Sequence, residues 1–167
     1  MISFRKLERE DLLDLLTLKQ ESYLRTHHTT IANMEDQERW YASLDHHPHT
    51  PRQLYLIAEN DRGMVGLLKF DPIDWANRTA SMGWDVFAPF RGQGHGKVLV
   101  QQGVTYGFGV LNMHRLQAEI LDGNIASEKC AFAAGFNLEG TRRSAVQKNG
   151  KRLDSHIYGI LANEKTP

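Results

Sequence analysis

The sequence predicts an α/β sandwich, in which a mixed, largely antiparallel sheet of about seven strands carries helices on both faces. Two apolar runs, 53–59 and 64–70, flank Asn60-Asp61-Arg62-Gly63, which is typical of an antiparallel hairpin. Asn149-Gly150 predicts a second hairpin near the end of the chain. Between the two hairpins, the order strand, helix, strand, helix over 79–134 predicts a parallel crossover. One parallel pair should therefore interrupt an antiparallel sheet.

The first third of the chain predicts one strand and two helices. Residues 2–7 alternate as a half-buried strand does, and Glu10 and Asp11 give the acidic start that a helix favours. A polar loop over 25–33 separates the two helices, and residues 45–51, with their histidines and prolines, predict a surface loop rather than a metal site. The apolar positions are Leu12, Leu15, Leu16 and Tyr23 in the first helix and Met34, Trp40, Tyr41 and Leu44 in the second.

The rest of the chain predicts four more strands and two more helices. A turn over 71–78 leads to a strand at 79–86, and three alternate glycines then open a helix with an apolar stripe. Gly103 and Gly107 should let that helix lie close to the sheet. A strand at 115–121 precedes a helix from Ile125 to about Ala134, which Gly135 ends. The last two strands begin at Phe136 and at position 151.

Composition predicts one cytoplasmic domain over residues 1–167 that acts on a small molecule. Lys and Arg number 20, as do Asp and Glu, so no overall charge attracts nucleic acid or an anionic membrane. No apolar run approaches the roughly 20 residues of a membrane span, and the start lacks a signal-peptide pattern. The single cysteine, Cys130, excludes an internal disulfide. A homodimer through the terminal strands would be ordinary for such a sheet.

The stretch Arg91-Gly92-Gln93-Gly94-His95-Gly96 predicts a phosphate cradle at the start of a helix. Glycine lets backbone N–H groups face one concavity, and the unpaired first N–H groups of a helix favour an anion there. Arg91 adds a full positive charge. The Walker pattern fails, because Val98 stands where a Ser or Thr is needed, and the dinucleotide pattern fails at its last glycine spacing.

This stretch resembles the Arg/Gln-x-x-Gly-x-Gly/Ala loop of the GNAT superfamily of acetyltransferases, and the likeness extends over 106–116, 124–127 and 134–142. The chain is similar to the branch of ribosomal-protein N-terminal alanine and spermidine acetyltransferases. The resemblance implies the GNAT fold and acetyl-CoA as co-substrate, with no metal. It implies pyrophosphate at 91–96 and pantetheine amides paired with the backbone at a splayed point of the sheet. The cofactor-binding residues so implied are Val86, Phe87, Arg91, Gly92, Gln93, Gly94, His95, Gly96, Asn124, Ser127 and Lys129.

Within that set, Asn124 matches the family asparagine that fixes the pantetheine arm, although it also suits a helix N-cap. Ser127 lies one turn later, near the expected thioester sulfur, and Lys129 is placed to reach the 3′-phosphate. Two family residues are missing, because Ala131 replaces the usual tyrosine acid and Ser81 the usual glutamate base. Ser127 is therefore the candidate proton donor to the thiolate.

Two carboxylates are candidates for the missing base. Asp85 is an unusual acid in an apolar strand and alternates onto the face of Ser81 and Gly83. Glu119 is similarly placed in the neighbouring strand. Either carboxylate can bind the acceptor cation or remove its proton, and the structural alternative for each is an ion pair with an arginine such as Arg78 or Arg115. Asp85 is the first candidate.

The resemblance predicts an acetyl-CoA-dependent N-acetyltransferase for a primary amine of a small molecule. An amino sugar, a nucleotide-linked amino sugar and a polyamine all remain open as acceptors. One alternative is a protein N-terminus as acceptor. Another is a non-catalytic acyl-CoA sensor, which the two missing family residues keep open.

Overall fold

The computed structural model describes residues 2–27, 33–45 and 47–164, and it contains a seven-stranded sheet. The strand order is β1-β2-β3-β4-β5-β7-β6, and β4 with β5 is the one parallel pair in it. The strands are β1 Ser3–Lys6, β2 Leu54–Asn60, β3 Gly63–Asp74, β4 Thr79–Val86, β5 Arg115–Leu121, β6 Asn137–Lys148 and β7 Lys151–Leu161. The α-helices are α1 Leu12–Ser22, α2 Met34–Ala42, α3 His95–Gly109 and α4 Ile125–Ala133. The predicted fold class is confirmed.

One predicted loop differs from the structure, and two others are described only in part. The turn expected over 71–78 is wrong in its first half, because β3 continues to Asp74 through a register shift. Two bonds hold this extension: the Tyr55 hydroxyl donates to Asp71, and the amide of Ile73 donates to the carbonyl of Arg52 at 2.8 Å. Part of the loop over 25–33 and His46 of the histidine-rich loop lie outside the described residues.

The sheet separates two helical layers because side chains alternate along its strands. Leu68 and Met82 face α3, where an added Cβ on Gly103 would lie 2.8 Å from a Leu68 methyl. An added Cβ on Gly107 would lie equally close to Leu116. These contacts confirm that the two glycines let α3 lie close on the sheet. The opposite face of the sheet carries α1 and α2, with Leu15 and Leu18 buried against it.

The parallel pair at the centre of the sheet is short. Residues Thr79–Ser81 of β4 pair with Arg115–Gln117 of β5, and no further pairing follows along these two described strands. Beyond Ser81 the two strands separate, so the predicted splay is present. None of the described helices is both long enough and apolar enough to cross a membrane.

Candidate active site

A cavity of about 500 Å³ lies where the sheet splays, between the sheet and the layer of α1 and α2. Its walls come from both helices, from strands β2 to β5 and from the start of α4. The cavity brings together three predicted site residues, Asp85, Glu119 and Ser127, and Asn124 lies at its edge beside Ser127. The sequence-predicted catalytic residues therefore share one cavity.

The glycine-rich cradle adopts the backbone shape that its sequence predicts. Gly92 and Gly94 have φ values of 73° and 84°, and an added Cβ on either would meet no atom within 4 Å. Because α3 begins at His95 without a side-chain cap, the first N–H groups of that helix lack partners within it. Open space in front of positive-φ glycines and free helical amides fits a pyrophosphate, which is what acetyl-CoA would present here.

The side chains of Gln93 and His95 contact the residues that immediately precede the glycine-rich loop. The Gln93 amide donates to the carbonyl of Pro89 at 2.6 Å, and the His95 ring meets the edge of Phe90 at 5.6 Å between centroids. Arg62, from the β2–β3 turn, donates to Gln93 at 3.4 Å and lies over the Phe90 ring. The side chains of Gln93 and His95 are therefore engaged within the loop, and its backbone groups border the open space.

The Arg91 side chain is directed at groups outside the glycine-rich loop. Its Nε donates to the carbonyl of Val86 at 2.7 Å, and its terminal nitrogen lies 3.5 Å from Glu21 and 3.9 Å from Asp85. Burial, together with the nearby Arg25, lowers the pKa of the Arg91 guanidinium. Its charge is thus shared with the carboxylates of Glu21 and Asp85, and the role of Arg91 in holding pyrophosphate stays a prediction.

Asp85 lines the cavity on the face that alternation predicts. Its side chain is 20% exposed and accepts a hydrogen bond from the amide of Val86 at 2.9 Å. Burial raises the pKa of this carboxyl, while Ser22, Arg91, the Val86 amide and Arg25 oppose that shift. Arg91 is a distant ion-pair partner, so the expected partners Arg78 and Arg115 are wrong for Asp85. They are bonded instead to Asn112 and Glu139.

The backbone groups of β4 that face the splay belong to Trp84 and Val86, whereas the resemblance implied Val86 and Phe87. The Phe87 amide donates to the carbonyl of Val65 at 3.0 Å, and its carbonyl accepts from Phe90, so Phe87 is already paired. Since successive residues of a strand turn their backbone groups to opposite edges, those of Trp84 and Val86 face the splay. Both backbone groups of Val86 already have side-chain partners: its amide donates to the Asp85 carboxylate, and its carbonyl accepts from Arg91.

Glu119 belongs to a polar cluster on the far side of the splay. Its carboxylate lies 2.8 Å from Arg142 and accepts from the Ser155 hydroxyl at 3.4 Å. His27 lies 2.9 Å from the same hydroxyl and 3.9 Å from Glu119, and burial lowers the pKa of its imidazole. Arg142 is therefore the ion-pair partner of Glu119, in place of the expected Arg78 or Arg115.

Asn124 and Ser127 start α4 at the mouth of the cavity. The Asn124 carbonyl oxygen accepts from the Ser127 amide at 3.3 Å, which is an N-cap, and its amide nitrogen donates to the carbonyl of Arg25 at 2.9 Å. Lys129 is exposed on the same helix, next to Cys130. The Cys130 sulfur would lie 3.2 Å from a Cβ on Gly96, so α4 packs against the cradle.

Sequence reasoning missed three cations that line the cavity: Lys19, Arg25 and Lys69. Lys69 had a usable signal, because it is the one charged residue in the apolar run 64–70 and, like Asp85, occupies the cavity face of its strand. Lys19 and Arg25 had none, since lysine and arginine are ordinary on a helix surface. Among the described residues, no group of three or more His, Cys, Asp or Glu side chains could hold a metal ion.

Comparison with known proteins agrees with this geometry. The family model described as an acetyltransferase (GNAT) domain matches residues 2–137. An uncharacterised N-acetyltransferase, p20 of Bacillus licheniformis, is 26% identical over 168 residues, covering 98% of this chain and 94% of that protein. The spermidine N(1)-acetyltransferase of Vibrio cholerae is 20% identical over 166 residues, covering 98% and 94%.

A solved structure gives the same fold. The crystal structure of spermidine N-acetyltransferase from Vibrio cholerae in complex with CoA and spermine aligns with a TM-score of 0.88 at 21% identity, covering 98% of this chain and 96% of that one. A putative ribosomal N-acetyltransferase, YdaF of Bacillus subtilis, is 28% identical over 104 residues, which cover 62% of this chain and 57% of that protein. With a family model that spans most of its length, the chain belongs to the GNAT family of acetyltransferases.

Proposed function

We propose that this acetyl-CoA-dependent N-acetyltransferase acts on the primary amine of a small molecule. The observation that carries the proposal is the cavity itself, which is enclosed by α1 and α2 and holds Asp85 beside the open edge of β4. A volume of about 500 Å³ lies within the usual range for small-molecule sites. Amino sugars, nucleotide-linked amino sugars and polyamines belong to this class.

The cofactor would lie along the residues that lead from the cradle to the splay. The free amides at the start of α3 would hold pyrophosphate, with Lys129 and Arg62 as nearby cations. The outward groups of Trp84 and Val86 would pair with pantetheine amides as an added strand does. To do so, the ligand must displace Asp85 and Arg91 from Val86, or bond to Trp84 alone.

The chemistry needs a base and an acid on opposite sides of the thioester. An ammonium has no lone pair, so Asp85 would take a proton from the amine, directly or through water, before the amine attacks the carbonyl carbon. Ser127, at the mouth of the cavity, would donate a proton to the departing thiolate. Glu119 is the second candidate base, and its carboxylate is already in an ion pair with Arg142 at 2.8 Å.

Two alternatives lead to different measurements. A protein N-terminus is supported by the named ribosomal relative, and a silent acyl-CoA sensor by the absence of the family tyrosine and glutamate at Ala131 and Ser81. Release of free thiol from acetyl-CoA, measured with a panel of amines and of N-terminal peptides, separates all three. Thiol release with small amines supports the proposal. Release with peptides alone, or tight acetyl-CoA binding without any release, contradicts it.

We also propose that the protein is cytoplasmic and that it can form a homodimer. The single cysteine, which cannot form a disulfide within the chain, suits a reducing compartment. The strands β1 and β6 are the two edges of the sheet, and an edge with unpaired backbone groups can pair with a second copy. Light scattering at several protein concentrations measures the assembly directly.

A further inference from the structure

We propose that the acceptor carries an anionic group, a carboxylate or a phosphate, which binds between Lys19 and Lys69 while its amine lies at Asp85. This inference rests on the proposed function and names the substrate class of the same site. Both lysines line the cavity, one from helix α1 and one from strand β3. They approach it from different layers of the fold, as the two sides of a binding site do.

The Lys69 side chain lies across the neighbouring strand β4 on the cavity face of the sheet. In the β3–β4 register Lys69 lies opposite Gly83, and an added Cβ on Gly83 would come within 2.6 Å of the Lys69 side chain. The glycine therefore makes room for the lysine stem to lie across β4. No carboxylate among the described residues forms an ion pair with Lys69.

Lys19 reaches the same space from α1. Its ammonium lies 4.1 Å from the centre of the Trp40 ring and donates to the side-chain amide oxygen (Oε1) of Gln37 at 2.5 Å, and both partners are uncharged. Burial and the charge of Lys69 lower its pKa to about 8, so the two ammonium groups sense each other. A ligand anion between them would relieve this repulsion.

Neither carboxylate of the described cavity wall forms an ion pair with Lys19 or Lys69. Glu119 is paired with Arg142, and Asp85 is shared with Arg91 and Arg25. Within the described cavity wall, three cations thus face two carboxylates, each of which already has an arginine partner.

This charge balance selects among the proposed acceptors. A polyamine would bring further ammonium groups toward two unpaired lysines, whereas an amine that also carries an anion would satisfy both ends of the cavity. Lys69 and Asp85 lie on one face, diagonally across two adjacent strands, a position that separates two residues by about 7 to 8 Å. The geometry favours an acceptor whose amine and anion are a few bonds apart.

The test compares acceptors that share an amine and differ in the anion. Glucosamine 6-phosphate against glucosamine examines phosphate, phenylalanine against phenylalanine amide examines carboxylate, and spermidine examines added positive charge. Each is measured for kcat/KM by thiol release, and for binding to the CoA-loaded protein by calorimetry, which needs no turnover. The variant is Lys69→Met, which keeps the stem and removes the charge. The control is Lys6→Met, an exposed lysine on β1.

We expect the anionic member of at least one pair to be favoured by about tenfold to a hundredfold, as a hydrogen bond to a charged group allows. Lys69→Met should abolish that preference and leave the member without an anion within twofold, while Lys6→Met changes neither. Equal use of both members of each pair, or a preference for spermidine, would overturn the inference. Anion-selective binding without acetylation of any amine would instead contradict the proposed function and leave this inference standing.

Discussion

Replacing Asp85 by Asn removes one negative charge from the cavity and keeps the shape of the side chain. If Asp85 is the base, the variant should lose the proton acceptor for the amine. Loss of a positioned base typically costs 10²- to 10⁴-fold in rate, which is about 3 to 5 kcal/mol of transition-state stabilisation. Acetyl-CoA affinity should stay within about twofold, since the cradle is untouched.

The same substitution should have little effect on folding. An asparagine oxygen can still accept from the Val86 amide, now bonded at 2.9 Å, and Arg91 keeps Glu21 at 3.5 Å and the Val86 carbonyl at 2.7 Å. No buried cation is left without a partner. We therefore expect the free energy of unfolding to change by about 1 kcal/mol or less, against the roughly 3–5 kcal/mol lost when a closed buried pair is broken.

The pH profile gives a second readout with a definite sign. Burial raises the pKa of Asp85 above 3.8, and a base works only when it is deprotonated. The value of kcat/KM should therefore fall as the pH drops through this raised pKa, and Asp85→Asn should remove that limb. Asp14→Asn, at an exposed position of α1, is the matched control. Wild-type kinetics combined with a loss of about 3–5 kcal/mol in stability would refute the reasoning and make Asp85 a structural residue.

Three further outcomes follow from the site. Gly94→Val places a branched side chain at φ 84° in the open space of the cradle, so acetyl-CoA affinity should fall at least tenfold, about 1.4 kcal/mol, by calorimetry; unchanged binding in a folded variant would contradict the cradle. Ser127→Ala should lower kcat by up to about 10²-fold with unchanged cofactor affinity, and an unaltered kcat, with chemistry limiting, would remove its role as acid. Since Lys19 loses its proton above a pKa of about 8, the KM of an acceptor with an anionic group should rise between pH 7 and 9 relative to that of the matched amine without the anion.

Much of the fold follows from local sequence, because strand alternation and turn residues are local properties. The bounds of β4, β5 and β7 agree with the predicted ones at every end, and so does the hairpin at Asn149-Gly150. The extension of β3 past Phe70 was missed, because Pro72 predicts a break. The extension is held by hydrogen bonds to Tyr55, which lies in β2, and to Arg52, which lies just before β2. Because these partners are distant in sequence, the residues around Pro72 do not reveal the bonds.

The site was predictable in its composition and less so in its pairings. Alternation placed Asp85 on the correct face, since the direction of a side chain from a strand has a period of two. It could not identify Arg91 or Arg142 as partners, because the first depends on how the cradle folds back on Val86. The second depends on β6 lying beyond β7, where Arg142 reaches Glu119 over a distance of 23 positions in sequence.

The splay gives β4 two unlike edges, and amide hydrogen exchange should reveal them. Toward β3, the amides of Gly83, Asp85 and Phe87 are held in an antiparallel ladder, so they should exchange slowly. Toward β5, the amide of Trp84 has no strand beside it and should exchange faster. A peptide-like ligand laid along this edge would slow that one position and leave its neighbours unchanged. Although β4 lies inside the sheet, part of it has one unpaired edge, as a strand at the border of a sheet does. Hydrogen exchange along β4 would therefore show at which residues a ligand covers that edge.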